Sequence, residues 1–573
     1  MRAAGEGNSQ DVSRAIHPSL VPAPANVTSL AGVVTLTDGV RIETPPELAG
    51  VARWFRRLLE QSTGWSVEMA GPSDRSAEAA GRELSPAVTR LVLELGPARE
   101  AGAARGRASA APGLRTAAEE SYRLRVAEGT VTVSGGGAAG VFYGLQTLRQ
   151  LLPDSWWRAA PLEAAVAANL AGLEIGDAPA FAWRGVHLDV ARHFMPKGFV
   201  LKLIDLIALH KCNVLHLHLT DDQGWRLPVA AYPRLVEVGA WRRESPLGHY
   251  RETGGDGRPH GGYYTAEDMS EIVAYAAERF VDVLPEIDMP GHMQAAIAAY
   301  PELGNSLERR EVRTRWGISR HVLNLEPATL RFCTDVLDEV MDLFPWRYVH
   351  VGGDECPTTE WEASEKAQGL MRQEGFGSAR QLQGWFTSRI AEHLADRGRL
   401  LVGWDEILES GAPPGSVVMS WRSADGGARA ASAGHDVVMA PQQWLYFDWA
   451  YEDDVAEPLA ICPATSVERV FGFDPVPASI PAGERRRVLG AQCQLWTEFV
   501  PNGQHAEYMY FPRVSAFAEV VWRGPARVEA DAAGFDEFAE RLARHLRRLD
   551  AVGVNYRPLD GPTPGQSWAW SQE

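Results

Sequence analysis

Eight short runs rich in β-branched and apolar residues, several of them separated by helix-like segments, organise the sequence from Trp183 onward. In chain order they are Gly185–Asp189, Asn213–Thr220, Val281–Asp288, Tyr348–Gly352, Leu400–Trp404, Val417–Trp421, Asp436–Ala440 and Val488–Trp496. Strand patterns that alternate with helical patterns favour a parallel sheet. Eight such units predict an α/β fold built on a (β/α)8 TIM barrel.

The helical patterns between these runs differ in clarity. The clearer ones are Phe199–His210, Ala266–Phe280, Leu330–Phe344 and the face formed by Leu382, Phe386, Ile390 and Leu394. Thr265 and Asp268 have the spacing of a capping box, which predicts a helix start at Ala266. The pattern is weak between Trp421 and Val488, and a final charged amphipathic helix is predicted at Phe535–Asp550.

A different pattern precedes the barrel. Ser121–Val126 and Thr130–Val133 alternate polar and apolar residues around a Glu128-Gly129 turn, Leu91–Leu95 reads as another strand, and a helix follows at Phe142–Leu152. We therefore expect a smaller α+β domain at residues 21–178 and the barrel domain at residues 179–555. Residues 1–20 and 556–573 are expected to be tails, and most of the stretch 70–118 is expected to form surface loops.

Composition narrows the classes of partner. The 573-residue chain has a formal net charge of -18, which argues against nucleic acid binding through a basic face. No apolar stretch approaches ~18 residues, so no membrane span is expected, and the polar start shows no signal peptide, which makes a cytoplasmic location the default expectation. The five cysteines form no CxxC pair, so no metal site is predicted; no cofactor is predicted either, and a homodimer is the default oligomer.

The run Gly352-Gly353-Asp354-Glu355 follows the fourth predicted strand. Active sites of TIM barrels lie at the C-terminal ends of the strands, where this run is expected. Two adjacent carboxyl groups raise each other's pKa, so one can donate a proton while the other stays charged. This pair makes a hydrolase the first hypothesis, and the two glycines allow the bend that brings both side chains to one site.

Other polar and aromatic residues fall at the ends of the other predicted strands. They are Arg192, Asp221, His292, Trp404, Trp421, Tyr446, Asp448, Trp496 and Glu498. Each has a structural alternative: Asp221 can cap a helix or turn, His292 can bond the backbone, Arg192 can pair with Asp189, and tryptophans are often core residues. Their shared position at one end of the barrel favours a functional role for the set.

The same segments resemble a known family. Arg184–Phe194, His216–Arg226, Pro285–His292 and His350–Glu355 resemble the motifs of glycoside hydrolase family 20, the β-N-acetylhexosaminidases, in the family's order. The resemblance covers about residues 181–522, and the preceding α+β domain resembles the family's usual N-terminal domain. It implies a retaining, exo-acting hydrolase of glycans that end in an N-acetylhexosamine.

The resemblance also implies roles for the candidate residues. In this family the 2-acetamido oxygen of the substrate attacks C1 and forms an oxazolinium ion, an exception to the two-carboxylate scheme. Glu355 matches the general acid and base, and Asp354 matches the residue that orients the acetamido group. Trp404, Trp421 and Trp496 match the pocket walls, Tyr446 matches the hydroxyl that bonds the acetamido oxygen, and Arg192, Asp448 and Glu498 match sugar-binding residues. Asp221 and His292 match a supporting pair near the acid.

One departure from the family pattern affects the pocket. Some members have a further tryptophan between strands seven and eight, but residues 458–465 contain none. Closure by Trp444, by Trp449 or by a partner subunit is therefore left open.

Two other functions also stay open at this stage. His216, His218, Asp221 and Asp354 could form a metal-dependent hydrolase site, and the same pocket could belong to a non-catalytic sugar-binding protein.

Overall fold

The computed structural model describes residues 19–71, 89–96, 111–161, 167–249, 254–453, 456–461, 463–524 and 534–562. The chain divides into two compact units. The first comprises residues 1–103, 118–178 and 537–552, and the second comprises residues 104–117, 179–536 and 553–573. Most of the predicted loop stretch 70–118 and of the two predicted tails lies outside the described residues.

The described strands are numbered β1 to β19 in chain order. They are Asn26–Leu36, Arg41–Glu43, Glu68–Ala70, Arg90–Leu95, Tyr122–Ala127, Thr130–Gly135, Ala168–Asp177, Trp183–Asp189, Val214–His218, Thr220–Asp221, Gly224–Trp225, Trp241–Arg242, His260–Gly261, Asp282–Glu286, Tyr348–His350, Leu400–Trp404, Val417–Ser420, Asp436–Met439 and Val488–Cys493.

The described α-helices are numbered α1 to α18. They are Ala49–Thr63, Ala117–Glu120, Ala138–Leu151, Lys197–Leu209, Arg234–Glu237, Ala266–Ala277, Gln294–Ala299, Pro327–Leu343, Thr359–Ala363, Glu365–Glu374, Arg380–Asp396, Ile407–Ser410, Ala424–Ser432, Gln442–Leu445, Val467–Phe471, Gly503–Tyr510, Arg513–Arg523 and Gly534–Ala551. Short 3-10 segments occur at Pro46–Leu48, Asp154–Trp157, Pro301–Leu303 and Arg485–Arg487. None of the described helices is long and apolar enough to cross a membrane.

The first unit contains a seven-stranded sheet in the order β1-β7-β5-β6-β4-β2-β3. Strands β5 and β6 form the predicted antiparallel hairpin. Its turn residues Glu128 and Gly129 have φ of 53° and 72°, as a type I′ turn requires. Helix α3 buries Phe142, Leu145 and Leu148 against the sheet, which confirms the predicted helix. The α+β class of this unit therefore follows from the alternation seen in the sequence.

Helix α18 belongs to the first unit, whereas the sequence-based division placed it in the barrel domain. Arg541 donates to the carbonyl of Leu20 at 2.7 Å, and Arg548 donates to the carbonyls of Ser19 and Gln150, both at 2.9 Å. Its amphipathic pattern predicts a buried face but not the element that covers this face. That is why the sequence located the helix and assigned it to the wrong unit.

The second unit is a closed barrel with the strand order β14-β15-β16-β17-β18-β19-β8-β9. All neighbouring strands are parallel, and the pairing of β19 with β8 closes the circle. These are the eight strands that the sequence predicted: β16 has the predicted bounds, and the other seven differ by one to three residues at one end or both. The α/β class and the TIM barrel are therefore confirmed.

Aromatic side chains fill the end of the barrel where the strands begin. Trp183 starts β8 and Tyr348 starts β15, and their rings lie 5.5 Å apart, with Trp346 at 5.1 Å from Trp183. The carbonyls of Pro112 and Gly113 accept hydrogen bonds from Tyr348 and Trp346. This apolar floor leaves the opposite, C-terminal end of the barrel for polar groups.

The helices around the barrel agree with the clearer helical patterns. Thr265 and Asp268 form the predicted capping box at the start of α6. Helix α11 buries Leu382, Phe386, Ile390 and Leu394 as predicted. Short helices occupy the region between Trp421 and Val488, where the sequence pattern was weak.

Candidate active site

Strand β15 ends at His350, and a tight bend follows it. Gly352 and Gly353 have φ of 65° and 90°, conformations that glycine adopts without steric cost. A Cβ at Gly352 would lie 1.8 Å from Oδ1 of Asp288, so no other residue fits there. The bend carries Asp354 and Glu355 out of the strand pattern and places both at the barrel mouth, as the sequence predicted.

Asp354 and Glu355 occupy different environments. The side chain of Asp354 is 13% exposed and that of Glu355 is 34% exposed. Burial raises the pKa of Asp354, and the neighbouring carboxyl groups of Glu355 and Glu286 add to this rise. Among the described residues, Oδ1 of Asp354 has no hydrogen-bond partner although it is buried. Such an atom is suited to accept a donor from a bound molecule.

Asp288, on the segment after β14, supports Asp354 from below. Its Oδ1 accepts the backbone N–H of Gly353 at 3.1 Å. Burial and the charge of Asp354 raise the pKa of Asp288 well above its ordinary value. The sequence analysis did not select Asp288 as a site residue, although it lies in the Pro285–His292 motif.

His292 links the acid pair to Asp221. Its Nε2 lies 3.6 Å from Oε2 of Glu355 and 3.7 Å from Oδ2 of Asp354, and its Nδ1 lies 3.2 Å from Oδ1 of Asp221. Burial alone would lower the pKa of His292, but Asp221 and the neighbouring Glu355 outweigh it and raise this pKa well above the ordinary value. A protonated His292 therefore presents positive charge to Glu355. The predicted proximity of Asp221 and His292 to the acid agrees with this geometry.

Arg192 joins the same network from the segment after β8. Its guanidinium lies 2.8 Å from Asp221, 3.2 Å from Asp189 and 4.0 Å from Glu498. Burial would lower the pKa of Arg192, but the three carboxylates raise it well above the ordinary value. The structural pairing with Asp189 considered from the sequence is thus present, and the same side chain also reaches the mouth of the barrel.

Four aromatic rings make up another part of the site. Trp404 and Trp496 lie 5.8 Å apart, and Trp421 stacks on Tyr446 at 6.0 Å with 16° between the ring planes. Tyr446 and Trp496 are 6.3 Å apart, so the four rings form one continuous surface. The structure therefore brings together the aromatic residues that the sequence predicted.

Two carboxylates complete the pocket. Asp448 is buried, and neither of its oxygens has a hydrogen-bond partner among the described residues; Oε2 of Glu498 is in the same state. Burial raises the pKa of both groups. Burying unpartnered carboxyl oxygens is costly, and hydrogen-bond donors of a bound ligand would remove that cost.

Arg513 of α17 holds the segment that carries Tyr446 and Asp448. Its guanidinium is fully buried and donates to four backbone carbonyls, those of Phe447, Trp449, Thr465 and Met509. Burial lowers the pKa of Arg513. This role could not be predicted, because in the sequence a buried arginine of a helix looks like any other basic residue.

Glu286, at the end of β14, organises the interior directly below the pocket. It lies 2.6 Å from His218, 3.0 Å from His216 and 2.9 Å from His350, and it accepts the indole N–H of Trp404 at 2.9 Å. Burial would raise the pKa of Glu286, but the surrounding imidazoles lower it well below its ordinary value. Strand register explains the cluster, because Glu286 pairs directly with His218 and with His350.

Glu406 is a second residue that the sequence analysis missed. It follows β16 by two positions, is 8% exposed, and accepts the indole N–H of Trp421 at 2.9 Å. Burial, followed by the charge of Asp354, raises the pKa of Glu406 to about 8. Its position just after a barrel strand was the signal that could have identified it.

Several groups of three histidine or acidic side chains lie close enough to hold a metal ion. They are His187, His218 and Glu286; His216, Glu286 and His350; Asp221, Asp222 and His292; and Asp288, His292 and Asp354. His216 and His218 both contact Glu286, so they face the same side as expected, but Glu286 and not Asp354 is their common neighbour.

The buried state of the described cysteines argues against a thiol nucleophile. Cys212, Cys333, Cys356 and Cys493 are free and buried. Burial raises the pKa of Cys356 to about 12, so its thiol is not a nucleophile at neutral pH. This environment fits a packing role for Cys356.

Trp444 and Trp449 are the two tryptophans considered for closing the pocket. The ring of Trp444 lies 6.2 Å from that of Phe473, and the guanidinium of Arg469 lies 4.9 Å from the centroid of the Trp444 ring. Trp449 is buried. Closure by either tryptophan or by a partner subunit remains a prediction.

Comparisons with known proteins agree with this geometry. The model of the glycosyl hydrolase family 20 catalytic domain matches residues 181–525, and the model of domain 2 of the same family matches residues 17–178. The beta-N-acetylhexosaminidase of Cellulomonas fimi is 32% identical over 561 residues, covering 96% of this chain and 98% of the relative. The beta-hexosaminidase of Porphyromonas gingivalis is 42% identical over 452 residues, which are 78% of this chain and 56% of the relative.

Solved structures show the same similarity. The GH20 exo beta-N-acetylglucosaminidase from Vibrio harveyi, in complex with N-acetylglucosamine, has a TM-score of 0.79 at 30% identity over 95% of this chain and 78% of that chain. The GH20 beta-N-acetylhexosaminidase from Streptomyces coelicolor has a TM-score of 0.76 at 30% identity, with 95% and 99% covered. The matching family models, the full-length relative and the architecture of the site together show that this chain belongs to glycosyl hydrolase family 20.

Proposed function

We propose that this protein is an exo-acting, retaining β-N-acetylhexosaminidase that removes terminal β-linked N-acetylglucosamine, or N-acetylgalactosamine, from glycans. The observation that carries the proposal is the placement of Asp354 and Glu355 side by side against a wall of four aromatic rings. Relatives named beta-hexosaminidases and a solved neighbour in complex with N-acetylglucosamine support it.

The geometry supports substrate-assisted chemistry. The acetamido group of the sugar enters the pocket lined by Trp404, Trp421 and Trp496, where its N–H meets the unpartnered Oδ1 of Asp354. Asp354 turns the acetamido oxygen toward C1 and stabilises the positive charge that develops on the acetamido group as the ring closes. A donor at Oδ1 favours the ionised carboxylate, and so opposes the effect of burial on its pKa.

Glu355 carries the proton transfers. In the first step it protonates the glycosidic oxygen while the acetamido oxygen bonds to C1 and the C1–O bond to the leaving sugar breaks. In the second step Glu355 takes a proton from water, whose oxygen bonds to C1 as the oxazolinium ring opens. Two displacements at C1 retain the β configuration, and the half-exposed position of Glu355 gives water access.

The remaining pocket residues hold the sugar. The carboxylates of Asp448 and Glu498 and the guanidinium of Arg192 are placed to bond sugar hydroxyls through charge-assisted hydrogen bonds. Tyr446 can donate to the acetamido oxygen from the aromatic wall. Its stacking on Trp421 fixes the direction of the hydroxyl.

Two variants test the roles with aryl N-acetyl-β-glucosaminides. Glu355→Gln should lower kcat/KM about 10²–10⁴-fold with poor leaving groups and much less with good ones, because only poor leaving groups need the acid. Asp354→Asn should lose activity with both, because ring closure itself is hindered. Equal rates for Asp354→Asn and the unaltered protein would contradict the proposal.

Substrate controls separate this mechanism from its alternatives. Aryl glucosides without the N-acetyl group should not be cleaved at comparable rates, and a thiazoline that mimics the cyclic intermediate should inhibit strongly. Activity that is lost with a chelator and restored by zinc would instead favour the metal-dependent alternative. Binding of N-acetylglucosamine without turnover of any glycoside would favour a sugar-binding protein.

A further inference from the structure

An arginine-rich loop lies beside the active site of this acidic protein. Residues 308–320, here called the arginine loop, contain five arginines and two glutamates, although the chain as a whole carries a net charge of -18. Arg309, Arg310, Arg313 and Arg315 line a shallow cavity of about 330 Å³ together with Gln294. The cavity therefore concentrates positive charge in a chain whose net charge is negative.

The acidic residues of the loop neutralise only part of this charge. Glu308 pairs with Arg310 at 3.1 Å, and the carboxylate of Glu311 lies 3.3 Å from Arg243. The exposed Arg309 makes no ion pair or hydrogen bond with the described residues. Nε of Arg313 is buried and likewise has no partner among them. Donors of this kind are available to an anionic ligand.

Hydrogen bonds fix the arginine loop to the segments that carry the site. Asp222 accepts the backbone N–H of Gln294 at 3.0 Å and that of Ser319 at 3.2 Å. Gln223 donates to the carbonyl of Arg315 at 2.9 Å and accepts from Arg192 at 3.2 Å. The cavity is thus held in a defined position relative to the site.

Gln294 and His292 link the cavity to Glu355. Gln294 follows His292 by two residues, so their Cα atoms are no more than about 7 Å apart, and His292 is 3.6 Å from Glu355. Tyr446 and Glu406, whose carboxylate accepts the indole N–H of Trp421, instead lie within range of the charge of Asp354. The acid must face the glycosidic oxygen, so the leaving sugar extends past Glu355 and His292 toward the arginine loop.

We propose that the arginine loop binds an anionic substituent, a carboxylate or a sulfate, on the leaving-group part of the glycan. This inference rests on the proposed function and adds a substrate class to it. Arginine bonds carboxylate and sulfate oxygens through paired N–H donors, and these bonds are stronger than those between neutral groups. One or two of them would favour an anionic substrate over a neutral one by on the order of tenfold in kcat/KM.

Three matched β-1,4-linked disaccharides test the proposal. All carry a terminal N-acetylglucosamine, and the leaving sugar is N-acetylglucosamine, N-acetylmuramic acid or 6-sulfated N-acetylglucosamine. We expect kcat/KM to be about tenfold higher for at least one anionic substrate, and the preference to shrink as the salt concentration rises from 50 mM to 500 mM, since ions screen exposed charges. The two anionic arms distinguish a carboxylate from a sulfate.

Substitutions in the arginine loop test whether the cavity causes the preference for anionic substrates. Arg309→Gln combined with Arg310→Gln should bring the ratio of anionic to neutral kcat/KM close to one. Arg320→Gln is the matched control, because Arg320 is exposed on the same loop but does not line the cavity, and it should keep the ratio. Equal or lower kcat/KM for both anionic substrates would overturn the inference, as would an equal loss of preference in the control. No cleavage of the neutral disaccharide would instead count against the proposed function itself.

Discussion

Glu406 provides a quantitative test of the electrostatics of the pocket. The carboxyl group is 8% exposed, bonds the indole of Trp421, and has its pKa raised from 4.5 to about 8 by burial and by the charge of Asp354. Between these two pH values the folded protein keeps a proton that the unfolded chain releases. Stability therefore falls as pH rises from about 4.5 to about 8, and the loss is complete above that range.

Replacing Glu406 by Gln removes this ionisation and keeps an oxygen to accept the indole N–H of Trp421. Each pH unit between the two pKa values corresponds to ~1.4 kcal/mol, so Glu406→Gln should be more stable than the unaltered protein by about 4 to 5 kcal/mol above pH 8. Near pH 4 the two proteins should agree within ~1 kcal/mol. Urea unfolding at half-unit pH intervals from 4 to 9 measures the difference directly.

The control is Glu409→Gln, which removes a carboxylate from the same segment at a more exposed position. An exposed ion pair contributes ~0–1 kcal/mol, so this variant should show no comparable gain at pH 8. A stability difference between Glu406→Gln and the unaltered protein that is flat from pH 5 to pH 8 would refute the reasoning.

Three further substitutions probe the framework of the site. Gly352→Ala places a methyl group 1.8 Å from Asp288 at a φ of 65°, so we expect a loss of more than ~2 kcal/mol in thermal unfolding together with loss of turnover. Asp288→Asn keeps an acceptor for Gly353 and removes an ionisation whose pKa is raised on folding, so the variant should unfold with a higher free energy than the unaltered protein near pH 7 and with a similar one near pH 4; a difference that does not change with pH would contradict this. Arg513→Met removes the side-chain donor of the buried carbonyls of Phe447, Trp449 and Thr465 and one donor to that of Met509, and it should cost at least ~3 kcal/mol; an unchanged melting temperature would contradict this role.

The barrel was predictable because each strand has a local signature. The run before Gly352 and the seven other runs combine β-branched residues with breaks, and these determine strand positions whatever surrounds them. Helix α18 shows the limit of this reasoning. The apolar face of this helix could be predicted from the sequence. The unit against which it packs could not, because the carbonyls that accept from Arg541 and Arg548 are distant in sequence.

The residues of the candidate site likewise divide into those that could be predicted from the sequence and those that could not. Asp354 and Glu355 were identified because their position after two glycines is unusual in itself, and the resemblance to the family identified the residues around them. Glu286 was missed because an acidic residue in a strand gives no sign of how many donors will surround it, whereas the position of Glu406 just after β16 was a signal that was not used. Only the strand register, which pairs Glu286 with His218 and His350, shows that one carboxylate serves several imidazoles.

The bond between Glu286 and Trp404 has a consequence for changing what the pocket accepts. Trp404 is 1% exposed, and its indole is fixed to a carboxylate that also contacts three histidines from two neighbouring strands. Any attempt to widen the cavity at Trp404 would disturb that whole buried arrangement. Trp421 and Trp496 are only partly buried, so engineering toward bulkier N-acyl groups should begin with these two rings and leave Trp404 in place.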